Sequence, residues 1–188
     1  TGEGGMIVTD NKKIAERCRS LRNICFNNKR RFVHYDMGWN YRFTNLQSAV
    51  GLAQLEKLNQ FIIKKRNIGK IYNKELTKIK MFNTPLDKKK YGKNIYWVYG
   101  LVLKKNSPIK VKAFMNKLKN LGIETRNFFW PLHDQPVLKK MGLFKNIKLP
   151  VAENLSKNGL YIPSGLSITL SQQKYVIKKI KEIFSRYL

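Results

Sequence analysis

Between Thr44 and Ile79 the chain has room for little but helix. Thr44-Asn45-Leu46-Gln47 has the spacing of a capping box, in which the threonine oxygen accepts from the backbone N–H three residues on and the glutamine reaches back. Leu46, Ala49, Val50, Ala53, Leu58, Phe61 and Ile62 then give a broad apolar stripe. Unbroken helix over this span is about 50 Å long. Gly51 and Gly69 each cost roughly 1 kcal/mol against alanine, so a bend or break is expected near Gly69.

Upstream, Gly5 to Thr9 reads as a short strand. Asp10 or Asn11 then offers an N-cap oxygen to a helix running to about Asn23, with Ile14, Ala15, Cys18 and Leu21 on one face. From Ile24 to Phe43 the period is lost and the sequence turns aromatic and basic, with Phe26, Arg30, Arg31, Phe32, His34, Tyr35, Trp39, Tyr41 and Arg42. Loops of that length in compact domains are usually functional or disordered, and the aromatic content argues for order. His34 has no carboxylate or second histidine beside it, so it is read as a loop-packing residue.

Downstream, Pro85 to Lys93 is a charged connector containing Asp87-Lys88-Lys89-Lys90, and a domain boundary is placed nearby, dividing residues 1–80 from 81–188. Ile95 to Leu103 is rich in β-branched and aromatic residues and reads as a largely buried strand. Ser107 with Pro108 marks a helix start, Val111, Phe114, Met115 and Leu118 make its buried stripe, and Gly122 stands where a left-handed cap is wanted. Ile123 to Phe129 reads as a second strand and Leu160 to Ile162 as a third. Thr169-Leu170-Ser171-Gln172 caps a final helix carrying Val176, Ile180, Ile183 and Phe184. The sum is a small α/β unit.

The formal charge of +27 raises the question of a nucleic-acid partner. The 38 basic residues are 29 lysines and 9 arginines, whereas bidentate recognition of phosphates and base edges favours arginine. The lysines are also scattered over every segment, so a solvated basic surface is expected and a nucleic-acid partner is not. The longest apolar run, Ile95 to Leu103, is too short to cross a bilayer as a helix, and a soluble cytoplasmic protein without membrane partners is expected. Cys18 and Cys25 lack the spacing of a zinc site or a disulfide framework, and no metal is expected. The chain opens on Thr-Gly-Glu-Gly-Gly in the middle of what reads as a motif, and is taken as a piece of a longer protein.

Several blocks carry a resemblance in order and spacing. Thr1-Gly2-Glu3-Gly4-Gly5-Met6-Ile7-Val8-Thr9 is followed by Leu21-Arg22-Asn23, by Gly38-Trp39-Asn40-Tyr41-Arg42-Phe43-Thr44-Asn45-Leu46-Gln47-Ser48-Ala49, and by Gly51-Leu52-Ala53-Gln54-Leu55. Further on stand Thr125-Arg126-Asn127-Phe128-Phe129-Trp130-Pro131-Leu132-His133 and Tyr161-Ile162-Pro163-Ser164-Gly165-Leu166. Together they resemble the DegT/DnrJ/EryC1/StrS family of sugar aminotransferases over the whole chain, nearest to the branch that makes GDP-perosamine.

The resemblance implies an aspartate-aminotransferase-like α/β fold, of which this chain supplies the end of the large cofactor domain with a long connecting helix, then the small C-terminal domain. It implies pyridoxal 5'-phosphate as cofactor, a nucleotide-linked 4-keto-6-deoxyhexose as substrate, glutamate as amino donor, surface-glycan biosynthesis as context and a homodimer with shared active sites. The family's Schiff-base lysine is expected upstream of Thr1, so no catalytic residue is assigned in this chain. In the family the loop matching Gly38 to Thr44 crosses the dimer interface and its asparagine donates to the neighbouring subunit's cofactor phosphate. Asn40 occupies that place, and Arg42 is assigned to the same anionic neighbourhood. Arg126, Trp130 and His133 are the substrate candidates, Arg126 for the diphosphate and His133 for a hydroxyl or phosphate, with Phe128 and Phe129 as further pocket-lining candidates. Two other readings stay open: a sugar 3-dehydratase of the same fold, with histidine in place of the upstream lysine, and a basic nucleic-acid-binding module.

Overall fold

The computed structural model describes residues 1–26, 29–30 and 32–187. Arg31, one of the basic residues of the long loop, lies outside them. The chain forms two compact units, Thr1–Leu58 and Asn59–Leu188.

In the first unit, α1 spans Lys12–Arg22 and α2 spans Asn45–Glu56. Asn11 caps α1, its Oδ1 accepting from the backbone N–H groups of Lys13 at 3.0 Å and Ile14 at 3.2 Å. Thr44 and Gln47 form the expected capping box. Gly5 to Thr9, read as a strand, is not one. A strand requires a partner for its ladder, none lies beside it among the described residues, and Met6, Ile7 and Val8 are exposed. None of the residues of α2 is buried, and Cys25 is the one buried hydrophobic residue among those described in this unit. The first unit therefore displays its apolar residues rather than enclosing them.

In the second unit, α3 spans Leu58–Leu76 without interruption. The break expected near Gly69 falls instead at Lys57, whose N–H turns to Gln54 O, three residues back rather than four. Gly69 is inside the helix because the Tyr96 ring lies against it: a Cβ there would stand 2.5 Å from Tyr96 Cγ. Ile68, Tyr72 and Leu76 carry α3 into the core of this unit, which places that helix in the same compact unit as the sheet.

After α3 come β1 (Phe82–Asn83), a two-stranded hairpin of β2 (Lys88–Lys89) and β3 (Gly92–Lys93), and β4 (Tyr99–Leu103). Next are α4 (Val111–Asn120), β5 (Arg126–Asn127), a 3-10 turn (Leu132–Asp134), α5 (Pro136–Lys140), α6 (Pro150–Asn158), β6 (Gly159–Ile162) and α7 (Leu170–Ser185). The main sheet has the order β1-β4-β6-β5 with every pair antiparallel. One face of it, Phe82, Tyr99, Leu101, Leu103, Leu160 and Ile162, packs on α3, α4 and α7 side chains in a single apolar cluster.

Two strands are shorter than expected. Ile95 to Val98 does not enter the ladder: Tyr96 adopts φ 53°, Asn94 Oδ1 accepts its N–H at 2.7 Å, and the chain bends at residues 97–98. Ile123 to Phe129 contributes only Arg126–Asn127 to the sheet. Ser107 does not cap α4; its Oγ donates to Ile109 O at 3.0 Å and the helix begins later, with Lys110 at the N-cap position. The other end of α4 is as expected. Gly122 has φ 73°, its N–H reaches Lys119 O, and Ile123 N–H reaches Leu118 O, which is the Schellman pattern. A Cβ at Gly122 meets no atom, so Gly122→Ala isolates the backbone term: about 1 kcal/mol lost, read as a lower urea midpoint.

Candidate functional site

The long loop of the first unit is a closed circuit. The segment returning along residues 39–41 satisfies carbonyls left free at the end of α1: Trp39 N–H donates to Leu21 O at 2.7 Å and Tyr41 N–H to Arg22 O at 2.9 Å. Asn23 and Asn40 form an isolated antiparallel bridge. Gly38 makes the approach feasible, because a Cβ there would stand 2.7 Å from Cys25 N and Ile24 C. Arg17 and Asp36, 2.6 Å apart, fasten the far side, and Asp36 holds the guanidinium's pKa above its ordinary value. His34 Nδ1 lies 2.7 Å from Ile24 O and its ring packs on Phe26. His34 thus sits as a packing residue.

Asn40 and Arg42 stand exposed on this braced segment. Arg42 Nε donates to Asn40 Oδ1 at 3.3 Å, which occupies the acceptor of the amide and turns its NH2 group into the part free to donate. One neutral donor beside one cation suits a phosphate dianion. Trp39 and Tyr41 stack at 6.2 Å on either side of Asn40 in sequence, both exposed.

In the second unit the substrate candidates fall into two environments. Arg126 lies on the edge strand β5, opposite Tyr161 of β6, and is exposed, with no ion-pair partner among the described residues. Phe128 is half-buried against the sheet, whereas Phe129 and Trp130 are exposed. Trp130 Nε1 donates to Asp134 O at 2.9 Å, so the indole offers its face and not its N–H. His133 is different: it is buried, and Nε2 donates to Glu153 Oε1 at 3.1 Å, the same oxygen that accepts Leu149 N–H at 2.8 Å ahead of α6. This geometry ties the 3-10 turn to α6.

The Glu153 carboxyl is held below its ordinary value first by the Leu149 N–H and then by His133. A carboxyl depressed in the folded state contributes stability that is complete above its ordinary value of 4.5 and is lost as pH falls through the lower folded value. Acid is therefore expected to loosen the turn. With Trp39 and Trp97 replaced by phenylalanine, Trp130 fluorescence should change in that acid window, and Glu153→Gln should remove the transition.

Two clefts lie elsewhere. One of about 690 Å³ is lined by Ile123, Pro163, Ser167, Gln172 and Tyr175, the other of about 710 Å³ by Ile71, Lys74, Leu170, Lys174 and Lys178. Neither contains Asn40, Arg42, Arg126, Trp130 or His133, although Glu75, Lys181 and Glu182 also line the second. Sequence reasoning missed Glu153, Lys65 and Trp97. Lys65 Nζ donates to Trp97 O at 3.0 Å and to Ser164 O, and burial lowers its pKa. Trp97 sat inside an apolar run and was read as part of a buried strand, yet its side chain is exposed.

The fold, with the braced loop and a small antiparallel domain, is that of part of a pyridoxal-phosphate-dependent aminotransferase of the aspartate-aminotransferase class. The DegT/DnrJ/EryC1/StrS aminotransferase family matches residues 1–181, and the chain belongs to that family. It is 34% identical over 186 residues to GDP-perosamine synthase of Escherichia coli O157:H7, a match covering 98% of this chain and 48% of the relative. The chain spans about half the length of the curated relatives it matches. Among solved structures, Helicobacter pylori PseC, an aminotransferase of pseudoaminic acid biosynthesis, superposes with a TM-score of 0.81 at 19% identity, over 95% of this chain and 48% of that one. A GDP-4-keto-6-deoxymannose-3-dehydratase with bound GDP-perosamine gives 0.78 at 21%, over 93% and 49%.

Proposed function

We propose that the whole protein transfers an amino group from glutamate to C4 of a GDP-linked 4-keto-6-deoxyhexose, releasing 2-oxoglutarate, as a step of surface-glycan biosynthesis. The observation that carries this reading is the 34% identity to a GDP-perosamine synthase, running over 98% of the chain. We further propose a cytoplasmic homodimer. Among the described residues no helix is long and apolar enough to cross a membrane, and an Asn40 that serves a neighbouring subunit's cofactor requires a second copy of the chain. The domain reading that accompanies this assigns residues 1–80, with the long connecting helix, to the end of the large cofactor domain and residues 81–188 to the small domain.

The cofactor supplies an electron sink when bound. The part of this chain is to hold charged groups in place. Asn40 donates its amide N–H to the cofactor phosphate of the neighbouring subunit, and Arg42 keeps that amide turned outward while adding a positive charge. Arg126, without an acidic partner, pairs with the substrate diphosphate. Trp130 presents its ring face to the sugar nucleotide. For His133 the geometry favours an indirect role: bonded to Glu153 and buried, it fixes the turn from which Trp130 projects. The excess of lysine gives a positive potential that attracts an anionic sugar nucleotide.

Spectroscopy on the full-length protein tests the reading. Glutamate should remove the long-wavelength band of the lysine-bound cofactor and raise the short-wavelength band, and the GDP-linked keto-sugar should reverse the change. No change, with an intact upstream lysine, sinks the proposal. The dehydratase with the same fold marks the second reading. Histidine at the lysine position, together with loss of the C3 hydroxyl from the sugar, would establish that one instead.

A further inference from the structure

The outward face of the main sheet is built around a single ring. Gly100 and Gly159 leave space that Phe128 fills: a Cβ on Gly100 would stand 2.5 Å from Phe128 Cζ, and one on Gly159 would stand 2.4 Å from Phe128 Cδ2. Tyr161 lies beside it with ring centroids 6.5 Å apart, and Phe129 packs on Tyr161 at 6.4 Å. Phe129 in turn stacks on Trp97 at 6.0 Å with the planes 6° from parallel. The row ends in open surface, with Trp97 69% and Phe129 68% exposed although each ring covers part of the other.

Two features separate this row from ordinary exposed apolar residues. The first is that it is held from below. Lys65, reaching from α3, donates to the carbonyl of Trp97 itself and to that of Ser164, fixing the peptide that carries the indole. Phe129 follows directly on the anchored Phe128. Rings fixed in this way lose little freedom when a ligand arrives. The second is charge. Arg126 stands opposite Tyr161 in the β5-β6 register, exposed and without an acidic partner or a side-chain hydrogen bond among the described residues. The row thus has an unpaired cation toward one end and an open indole at the other.

We propose that Trp97, Phe129 and Tyr161 form a stacking platform for the base of a nucleoside diphosphate whose phosphates are taken by Arg126, and that Lys65 is the positioning residue that fixes Trp97. The inference rests on the reading of Arg126 as a substrate contact and extends it to a base-binding surface. A flat heteroaromatic ring carrying anionic groups matches both halves of the row, the aromatic faces by stacking and the guanidinium by charge.

The test uses the full-length holoenzyme with GDP, inorganic pyrophosphate and guanosine as probes, followed by calorimetry. Trp97→Ala should weaken GDP by about tenfold or more and guanosine alike, and leave pyrophosphate unchanged. Trp97→Phe should restore most of the loss. Arg126→Ala should weaken GDP and pyrophosphate together and spare guanosine. Lys65→Met should weaken GDP and guanosine but not pyrophosphate, with Lys65→Arg intermediate. Unchanged GDP binding in Trp97→Ala overturns the proposal. So does a loss accompanied by altered sedimentation of the enzyme, which would assign the indole to a subunit interface, and so does an equal loss of pyrophosphate. Failure of the glutamate spectral change in the wild-type enzyme would remove the transamination reading while leaving nucleotide binding measurable, so the two failures are distinguishable.

Discussion

Asn40→Asp in the full-length enzyme should weaken retention of pyridoxal phosphate by about a hundredfold, close to 3 kcal/mol. Aspartate keeps the shape of asparagine and an oxygen to accept from Arg42 Nε, now 3.3 Å from Asn40 Oδ1, so the segment stays in place. What changes is the outward group, from an amide donor to a carboxylate oxygen. On the proposed contact with the cofactor phosphate, the substitution removes a charge-assisted bond and adds repulsion with little change of structure. Titration of the apoenzyme with cofactor, followed by absorbance, gives the dissociation constant directly. Aspartate binding the cofactor as tightly as asparagine would show that Asn40 touches no phosphate. Asn40→Ala should fall between the two, since it loses the bond without the repulsion.

Phe184→Ala should cost the second unit about 3–5 kcal/mol, much of the stability of a domain of this size. Phe184 is 1% exposed and meets Phe82 at 5.3 Å and Phe114 at 5.1 Å, both edge-on. It therefore joins α7, β1 and α4 at one point, and truncation opens a cavity where three elements meet. Urea unfolding should show a lower midpoint with an unchanged slope. A loss under 1 kcal/mol would mean that α7 shifts to close the space.

The family was legible because its motif blocks are local strings, and most helix ends were legible for the same reason. Asn11, the Thr44–Gln47 box and the Thr169–Gln172 box each cap through atoms three residues apart or fewer. The Gly122 cap is similar, decided by backbone conformation within one turn of helix. The positions of Asn40 and Arg126 were also readable, as places in a motif. Their partners were not: that Arg42 turns the amide outward and that Arg126 lacks an acid depend on side-chain geometry across the loop and the sheet.

The sequence by itself determined the family, the caps at Asn11, Thr44, Gly122 and Thr169 and the apolar stripes of α4 and α7, because each is written in residues a few positions apart. Only the tertiary structure decided the path of Trp97. Counting back in twos from Tyr99 places residue 97 on the buried face, but the chain bends at residues 97–98 before the strand begins, so Tyr96 lies inward against Gly69 and Trp97 is exposed. The same contact explains why Gly69 does not break α3, and Ile68, Tyr72 and Leu76 explain why that helix belongs with the sheet. Those outcomes were set by contacts between residues far apart in the chain, which periodicity does not encode.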